Sequence, residues 1–254
     1  WSRNLNNSLK IHQDGDLLHL SQELKFGDST NIYRWEIESI TDSTSKVKVK
    51  VKDVDHSFKN KILIPFSDTD FEKRSRATVM DFMEHLKEHK EKFKVRIVGQ
   101  AEIPTKYIAY IPIKTTQLQK ADEMMRNFSY LMGTLMDNDV EFDGFPVIEI
   151  TEWNQANDSI YMNFGRPIVR SEKLPIGTDI QYKRIFSKKA LKAEYNGNYI
   201  TSDRAWYALI DYAEKNNIDI ESTPIEIFHD NPKNEGNQLK WKAEIFMPIK
   251  ESNE

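Results

Sequence analysis

Towards its C-terminal end the chain alternates apolar and polar residues with a period of two, the mark of strands with two unlike faces. In Thr223 to Asp230, Ile225 and Ile227 fall on one face and Glu226 and Phe228 on the other. In Lys240 to Ile249, Trp241, Ala243, Ile245 and Met247 share one face, opposite Glu244 and Phe246. Upstream the period becomes helical. Ser202 reads as an N-cap, Trp206, Leu209, Ile210 and Ala213 form one stripe, and Asn216-Asn217 stops it. The same order of strand, helix, strand and strand occurs earlier. Lys106 to Pro112 predicts a strand, Leu118 to Met136 a helix with Met124, Phe128, Leu131, Met132 and Leu135 on one side, and Phe145 to Thr151 a strand. Ile148-Glu149-Ile150 then corresponds to Ile225-Glu226-Ile227, and Arg166-Pro167-Ile168 to Met247-Pro248-Ile249. From glutamate to proline is 18 residues in the first copy (167 minus 149) and 22 in the second (248 minus 226), which places a loop insertion around Asn231 to Gly236. Neither copy can bury its apolar face alone, so the two are expected to pack together.

Residues 1–95 are patterned differently. Tyr33, Trp35 and Ile37 alternate with Arg34, Glu36 and Glu38; Val47, Val49 and Val51 alternate with lysines 46, 48, 50 and 52; Phe58, Ile62, Ile64 and Phe66 continue the period. These predict antiparallel strands with one wet face. Val79, Phe82, Met83 and Leu86 then predict an amphipathic helix ending near Lys92. The lysine ladder reads as the solvated face of an edge strand. The architecture expected is α+β: an antiparallel β plus helix region over 1–95, then tandem strand-helix-strand-strand modules over 96–168 and 173–249, joined through Val169 to Thr178 with its Pro175 and Gly177.

Composition removes several function classes. The 254 residues carry a net charge of −4, which recommends no nucleic-acid partner, and contain no cysteine, so disulfides, thiolate catalysis and zinc-thiolate sites are excluded. No apolar run is long enough to span a membrane. The expected location is the cytoplasm, with room left for a signal or anchor upstream of Trp1. His85-Leu86-Lys87-Glu88-His89 imitates a zinc-protease helix, but both imidazoles fall on its charged flank. Asp139, Glu141, Asp143 and Gly144 imitate a calcium loop whose twelfth position, Ile150, cannot ligate. Asn6-Asn7-Ser8, Asn127-Phe128-Ser129 and Asn157-Asp158-Ser159 fit the glycosylation triplet, which chance supplies often. No cofactor or metal is expected.

The chemistry-bearing residues lie on the repeated strands. With helices over Ile148, Ile150, Ile225 and Ile227, the other face would gather Glu149, Glu226 and Glu244 with Phe228, Phe246, Tyr161, Tyr110 and Tyr195 into one groove. Carboxylates among aromatic rings favour a cation or a hydrogen-bond donor. The alternative is a solvated sheet face. Trp206, on the helix stripe, is expected in the core.

The order of Ile180-Gln181-Tyr182, Ala193-Glu194-Tyr195-Asn196-Gly197-Asn198-Tyr199, the Trp206 helix, Pro224-Ile225-Glu226-Ile227-Phe228 and Glu244-Ile245-Phe246-Met247-Pro248-Ile249 resembles the GyrI-like small-molecule-binding domain, the effector-binding domain of AraC- and MerR-type bacterial transcription activators. The resemblance spans 96–250. The family's histidine-glycine-proline-tyrosine turn stands here as Asn196-Gly197-Asn198-Tyr199. The preceding region resembles the C-terminal part of the SRPBCC, or START-like, fold. What the GyrI-like resemblance implies is a multidrug-type module that senses or sequesters a small hydrophobic molecule, cationic ones included, with Glu226 as charge complement, Tyr195, Phe228 and Phe246 as walls, and a regulatory protein as a further partner. It also implies an alternative, a hydrolase of reactive electrophiles in which Glu226 and Tyr195 activate water or a leaving group. A groove that binds a peptide is the third reading.

Overall fold

The computed structural model describes residues 8–13, 18–41, 44–55, 69–155, 157–172, 174–176, 179–231 and 236–251, with backbone alone for 8–13. The expected strand through Phe58, Ile62, Ile64 and Phe66 lies outside them. The chain forms two compact units, Trp1–Lys90 and Glu91–Glu254.

In the first unit, β1 (Ser8–Gln13), β2 (His19–Phe26), β3 (Ser29–Thr41) and β4 (Thr44–Asp53) make an antiparallel sheet in that order. Helix α1 (Asp70–Glu91) covers one face. It starts at a reciprocal cap: Thr69 Oγ1 accepts from the Glu72 N–H (3.2 Å) and Glu72 Oε2 accepts from the Thr69 N–H (3.1 Å). The alternation of β3 turns Tyr33 and Trp35 inward, where Trp35 meets Phe82 at 4.6 Å and the Tyr33 hydroxyl reaches Thr78. Val79 and Phe82 pack on this cluster, whereas Met83 and Leu86 of the expected stripe are exposed. The lysine ladder lies on β4, the outermost of the described strands of this sheet.

The second unit is one eight-stranded antiparallel sheet. Its strands are β5 (Phe93–Ile103), β6 (Lys106–Thr116), β7 (Val147–Asn154), β8 (Ser159–Pro167), β9 (Gln181–Ile185), β10 (Lys188–Gly197), β11 (Ile225–Phe228) and β12 (Lys242–Pro248), in the spatial order β5-β10-β12-β11-β7-β8-β6-β9. Helices α2 (Lys120–Asp137) and α3 (Arg204–Lys215) cover one face. The predicted stripes are buried there: Met124, Leu131, Met132 and Leu135 from α2, and Trp206, Leu209 and Ala213 from α3.

The connections force the sheet to curl. β5 and β6 stand six places apart yet are joined by Pro104-Thr105 alone, as are β9 and β10 by Phe186-Ser187. Six strand spacings of a flat sheet measure about 29 Å, whereas three Cα steps reach at most about 11 Å. The two ends therefore approach each other, the Ser187 N–H donating to Thr105 Oγ1 at 2.9 Å. The face away from the helices becomes concave and encloses a second core of Ile103, Ile108, Val147, Ile185, Ile225 and Phe246.

β5 serves both cores through a bulge. Pairing with β10 slips between Lys192 and Ala193, opposite Val98-Gly99. Gly99 has φ +105°, a backbone state that glycine adopts readily. Before the bulge Phe93, Val95 and Ile97 face the helices; after it Ala101 and Ile103 face the concavity.

Candidate functional site

The concave face holds a cavity of about 300 Å³, walled by Ile103, Val147, Ile185, Ile225 and Ile227. Three polar side chains enter its lining, Glu244 on β12, His229 just past β11 and Lys106 at the start of β6. The Phe145 ring meets His229 at 4.5 Å at one end. Glu244 is held by Lys192 Nζ at 2.9 Å, with His229 Nε2 at 3.4 Å and Lys242 Nζ at 3.5 Å. Burial alone would raise the Glu244 carboxyl, but the lysines and the imidazole outweigh it and hold it below the ordinary range, so it is an anion at neutral pH. Lys192 also lies 5.0 Å over the Phe246 ring.

Glu149 and Tyr110 belong to the same face. Glu149 pairs with Lys183 and accepts from Asn163 Nδ2 at 2.8 Å; the Tyr110 hydroxyl donates to Gln181 Oε1 at 2.9 Å, with Lys183 5.3 Å over its ring. Burial, then the Glu149 charge, raises the Tyr110 phenol. Tyr161 is exposed, with Lys114 5.0 Å over its ring.

Glu226, Tyr195 and Phe228 stand on the opposite face, which corrects the single groove expected above. In an antiparallel pair, directly opposed residues point the same way. Ile225 opposes Glu149 and Phe246; Glu226 opposes Ile148 and Ile245. Ile225 and Ile227 thus join Glu149 and Glu244 in the concavity, and Glu226 and Phe228 join Ile148 and Ile150 under the helices. Across β7 and β11 the two glutamates are one residue out of register, and one residue reverses the face.

Under the helices Glu226 is fully buried and so is its partner Lys120, at 0% and 1% exposure. Lys120 Nζ bonds Glu226 Oε1 and donates to Ser202 Oγ at 2.7 Å, Ser202 Oγ reaches Glu226 Oε2 at 2.7 Å, and the Trp206 ring lies 4.7 Å from the ammonium. Ser202 is therefore not the helix cap that the pattern suggests, since its hydroxyl serves this cluster. The sequence carries a signal for Lys120 in the helix stripe itself. The stripe Met124, Phe128, Leu131 and Leu135, continued back one turn, lands on it.

Tyr195 is buried beside this cluster, its hydroxyl donating to the Asn198 carbonyl at 2.8 Å and sharing a hydrogen bond of 2.6 Å with Thr201. The turn above it needs Gly197, at φ +152°, because a Cβ there would lie 2.6 Å from the Tyr195 oxygen. The Tyr199 hydroxyl donates to the Lys242 carbonyl at 2.9 Å. Burial pushes the Tyr195 hydroxyl up to about 12, against the opposing Thr201 hydrogen bond, and raises Tyr199 too. A raised phenol favours the fold fully below the ordinary value of 10.0, and the benefit disappears as pH rises through about 12. The urea midpoint of the second unit is expected to fall steeply above pH about 10, and less steeply in Tyr195→Phe.

Among the described residues no group of three or more histidines, aspartates and glutamates could hold a metal. The calcium-like turn carries an ammonium instead, Lys106 Nζ lying 2.9 Å from both the Asp143 carbonyl and its carboxylate. No helix among the described residues is long and apolar enough to cross a membrane.

No family model and no curated sequence matches the chain. Among solved structures, the C-terminal domain of EcmrR superposes with a TM-score of 0.50 at 15% identity over 63% of this chain and 98% of that one. EcmrR in its DNA complex gives 0.51 at 13%, over 76% and 77%. A looser likeness, 0.42 at 12% over 62% and 93%, is to SAV2435 bound to tetraphenylphosphonium. At such identities the likeness to EcmrR speaks to the fold alone: over about 63% of its length this chain shares the fold of the EcmrR C-terminal domain.

Proposed function

We propose that the second unit is a small-molecule-binding module that takes a hydrophobic ligand into the concave cavity. The observation that carries this is the apolar wall of five aliphatic side chains from four strands, β5, β7, β9 and β11, with Glu244 as its anionic member. Cationic ligands are included because the Glu244 counter-ion is exchangeable. Lys192 is 20% exposed and has a flexible stem that can swing into water, whereas the Lys120 on Glu226 is sealed. This moves the charge-complement role from Glu226 to Glu244, with Phe246, Tyr110 and Glu149 on the same face.

The strand order supports the duplicated architecture. β6-α2-β7-β8 and β10-α3-β11-β12 meet at β7 and β11. Setting Ile148 against Glu226 also sets Phe128, Leu131 and Leu135 against Trp206, Leu209 and Ala213. A role in transcription regulation, with a regulatory partner, extends the same reading. Hydrolysis by Glu226 and Tyr195 gains no support, because both groups are buried and satisfied within the chain.

The test uses the neutral fluorophore N-phenyl-1-naphthylamine and the cation tetraphenylphosphonium. The fluorophore is expected to bind saturably, and Ile227→Trp, which fills the cavity, is expected to abolish binding. Glu244→Gln is expected to weaken the cation about tenfold, or about 1.4 kcal/mol, and to leave the neutral probe within about twofold. Binding that survives Ile227→Trp would sink the assignment to this cavity; equal losses for both probes in Glu244→Gln would sink the charge argument.

A further inference from the structure

A second cavity, of about 260 Å³, opens on the helix side of the sheet and is lined by Met124, Phe128, Tyr199 and Phe228, with Arg166 and Asp230 as its charged members. Its walls are aromatic and thioether, surfaces that suit a flat ring. Arg166 is the unusual member. It projects from β8 on the helix side, opposite Ala109, and its guanidinium lies 4.9 Å from the Phe142 ring. Among the described residues its buried Nε has no hydrogen-bond partner and no carboxylate pairs with it. A buried donor on a permanent cation is costly to leave unmet, so it calls for a specific acceptor. Burial also lowers the Arg166 pKa, the sign of incomplete solvation.

The cavity's carboxylate does not supply that acceptor. Asp230 Oδ2 already accepts from the Lys242 N–H at 2.7 Å, and the Asp230 N–H donates to the Tyr199 hydroxyl at 3.1 Å. What remains is a planar fork, unpaired among the described residues, at the side of an aromatic slot. A fork of this kind matches a carboxylate in two parallel hydrogen bonds.

We infer that this helix-side cavity is a second ligand site, specific for an aromatic carboxylate whose ring packs between Phe128 and Phe228 and whose carboxylate is bound by Arg166. Phe145 and His229 belong to the lining of both cavities, so the two sites stand back to back across that ring pair. The inference does not depend on the concave cavity binding anything.

Calorimetric titration of the full chain with 1-naphthylacetate and with its neutral analogue 2-(1-naphthyl)ethanol tests it, in wild type, Arg166→Gln, Arg166→Lys and Ile227→Trp. Expected are saturable binding of the acid at one site, binding of the alcohol weaker by at least about tenfold, and a comparable loss for the acid in Arg166→Gln, with Arg166→Lys intermediate because it keeps the charge and loses the fork. Ile227→Trp, which blocks the other cavity, is expected to leave the acid unaffected. An unchanged circular dichroism spectrum and an unchanged urea midpoint identify a folded Arg166→Gln protein; if that variant is not folded, the Arg166→Lys result decides. Equal affinity for acid and alcohol, full binding by Arg166→Gln, loss in Ile227→Trp, or no heat at millimolar acid would each overturn the inference.

Discussion

Replacing Glu226 by glutamine is expected to destabilise the second unit by roughly 3–5 kcal/mol, because it leaves the Lys120 ammonium buried without a counter-charge. Domains commonly have only about 5–15 kcal/mol in total, so the loss would be visible as a large fall in urea midpoint at unchanged slope. The same holds for Lys120→Met, which strands the carboxylate. The pair removed together, Lys120→Met with Glu226→Leu, is expected to recover most of the loss, since apolar replacements of a buried ion pair are often neutral or better. Additive single and double effects would show that the two side chains do not act as a pair. The comparison also separates structure from binding: a Glu226→Gln protein that stays fully stable but loses tetraphenylphosphonium would return the charge-complement role to Glu226.

Trp206→Ala is expected to cost about 3–5 kcal/mol. The side chain is fully buried, meets Trp153 edge-on at 5.1 Å and forms the face over which Lys120 sits. Two losses combine here, a large cavity and the removal of a cation's aromatic neighbour, the latter contributing about 0.5–2 kcal/mol. The indole N–H has no partner among the described residues, so Trp206→Phe keeps an aromatic face and gives up no hydrogen bond. It is expected to retain at least half of the stability lost in the alanine variant. Urea unfolding of both variants, alone and combined with Lys120→Met, checks this; an alanine variant within about 1 kcal/mol of wild type would show that the site collapses without strain.

The elements were legible where one period ran long enough. Helix α2 was predicted as Leu118 to Met136 and occupies Lys120–Asp137, and its stripe is the one buried. Trp206 was expected in the core and is there. Pairing was much less legible. Spacing alone could not distinguish a repeat offset of 77 residues, which aligns the glutamates, from one of 78, which aligns Ile148 with Glu226; only cross-strand register separates them. β5 hid its function in the same way. Its odd-numbered residues run apolar from Phe93 to Ile97 and again at Ala101 and Ile103, as if on one face, and the bulge at Gly99 divides them between two cores. Arg166 could not have been singled out at all, since an unpaired guanidinium is defined by what fails to approach it in three dimensions.

The exchange of edge strands between the two halves sets an order of events during synthesis. β5 is made first but pairs with β10, whose first residue, Lys188, follows Phe93 by 95 positions (188 minus 93). Until β10 has left the ribosome, β5 has no partner and the first helix-bearing half presents an incomplete sheet. Long-range closure of this kind slows folding. A nascent chain stopped near Pro167 is therefore expected to depend on chaperones, and cutting the chain between the halves should yield fragments that fold only when mixed.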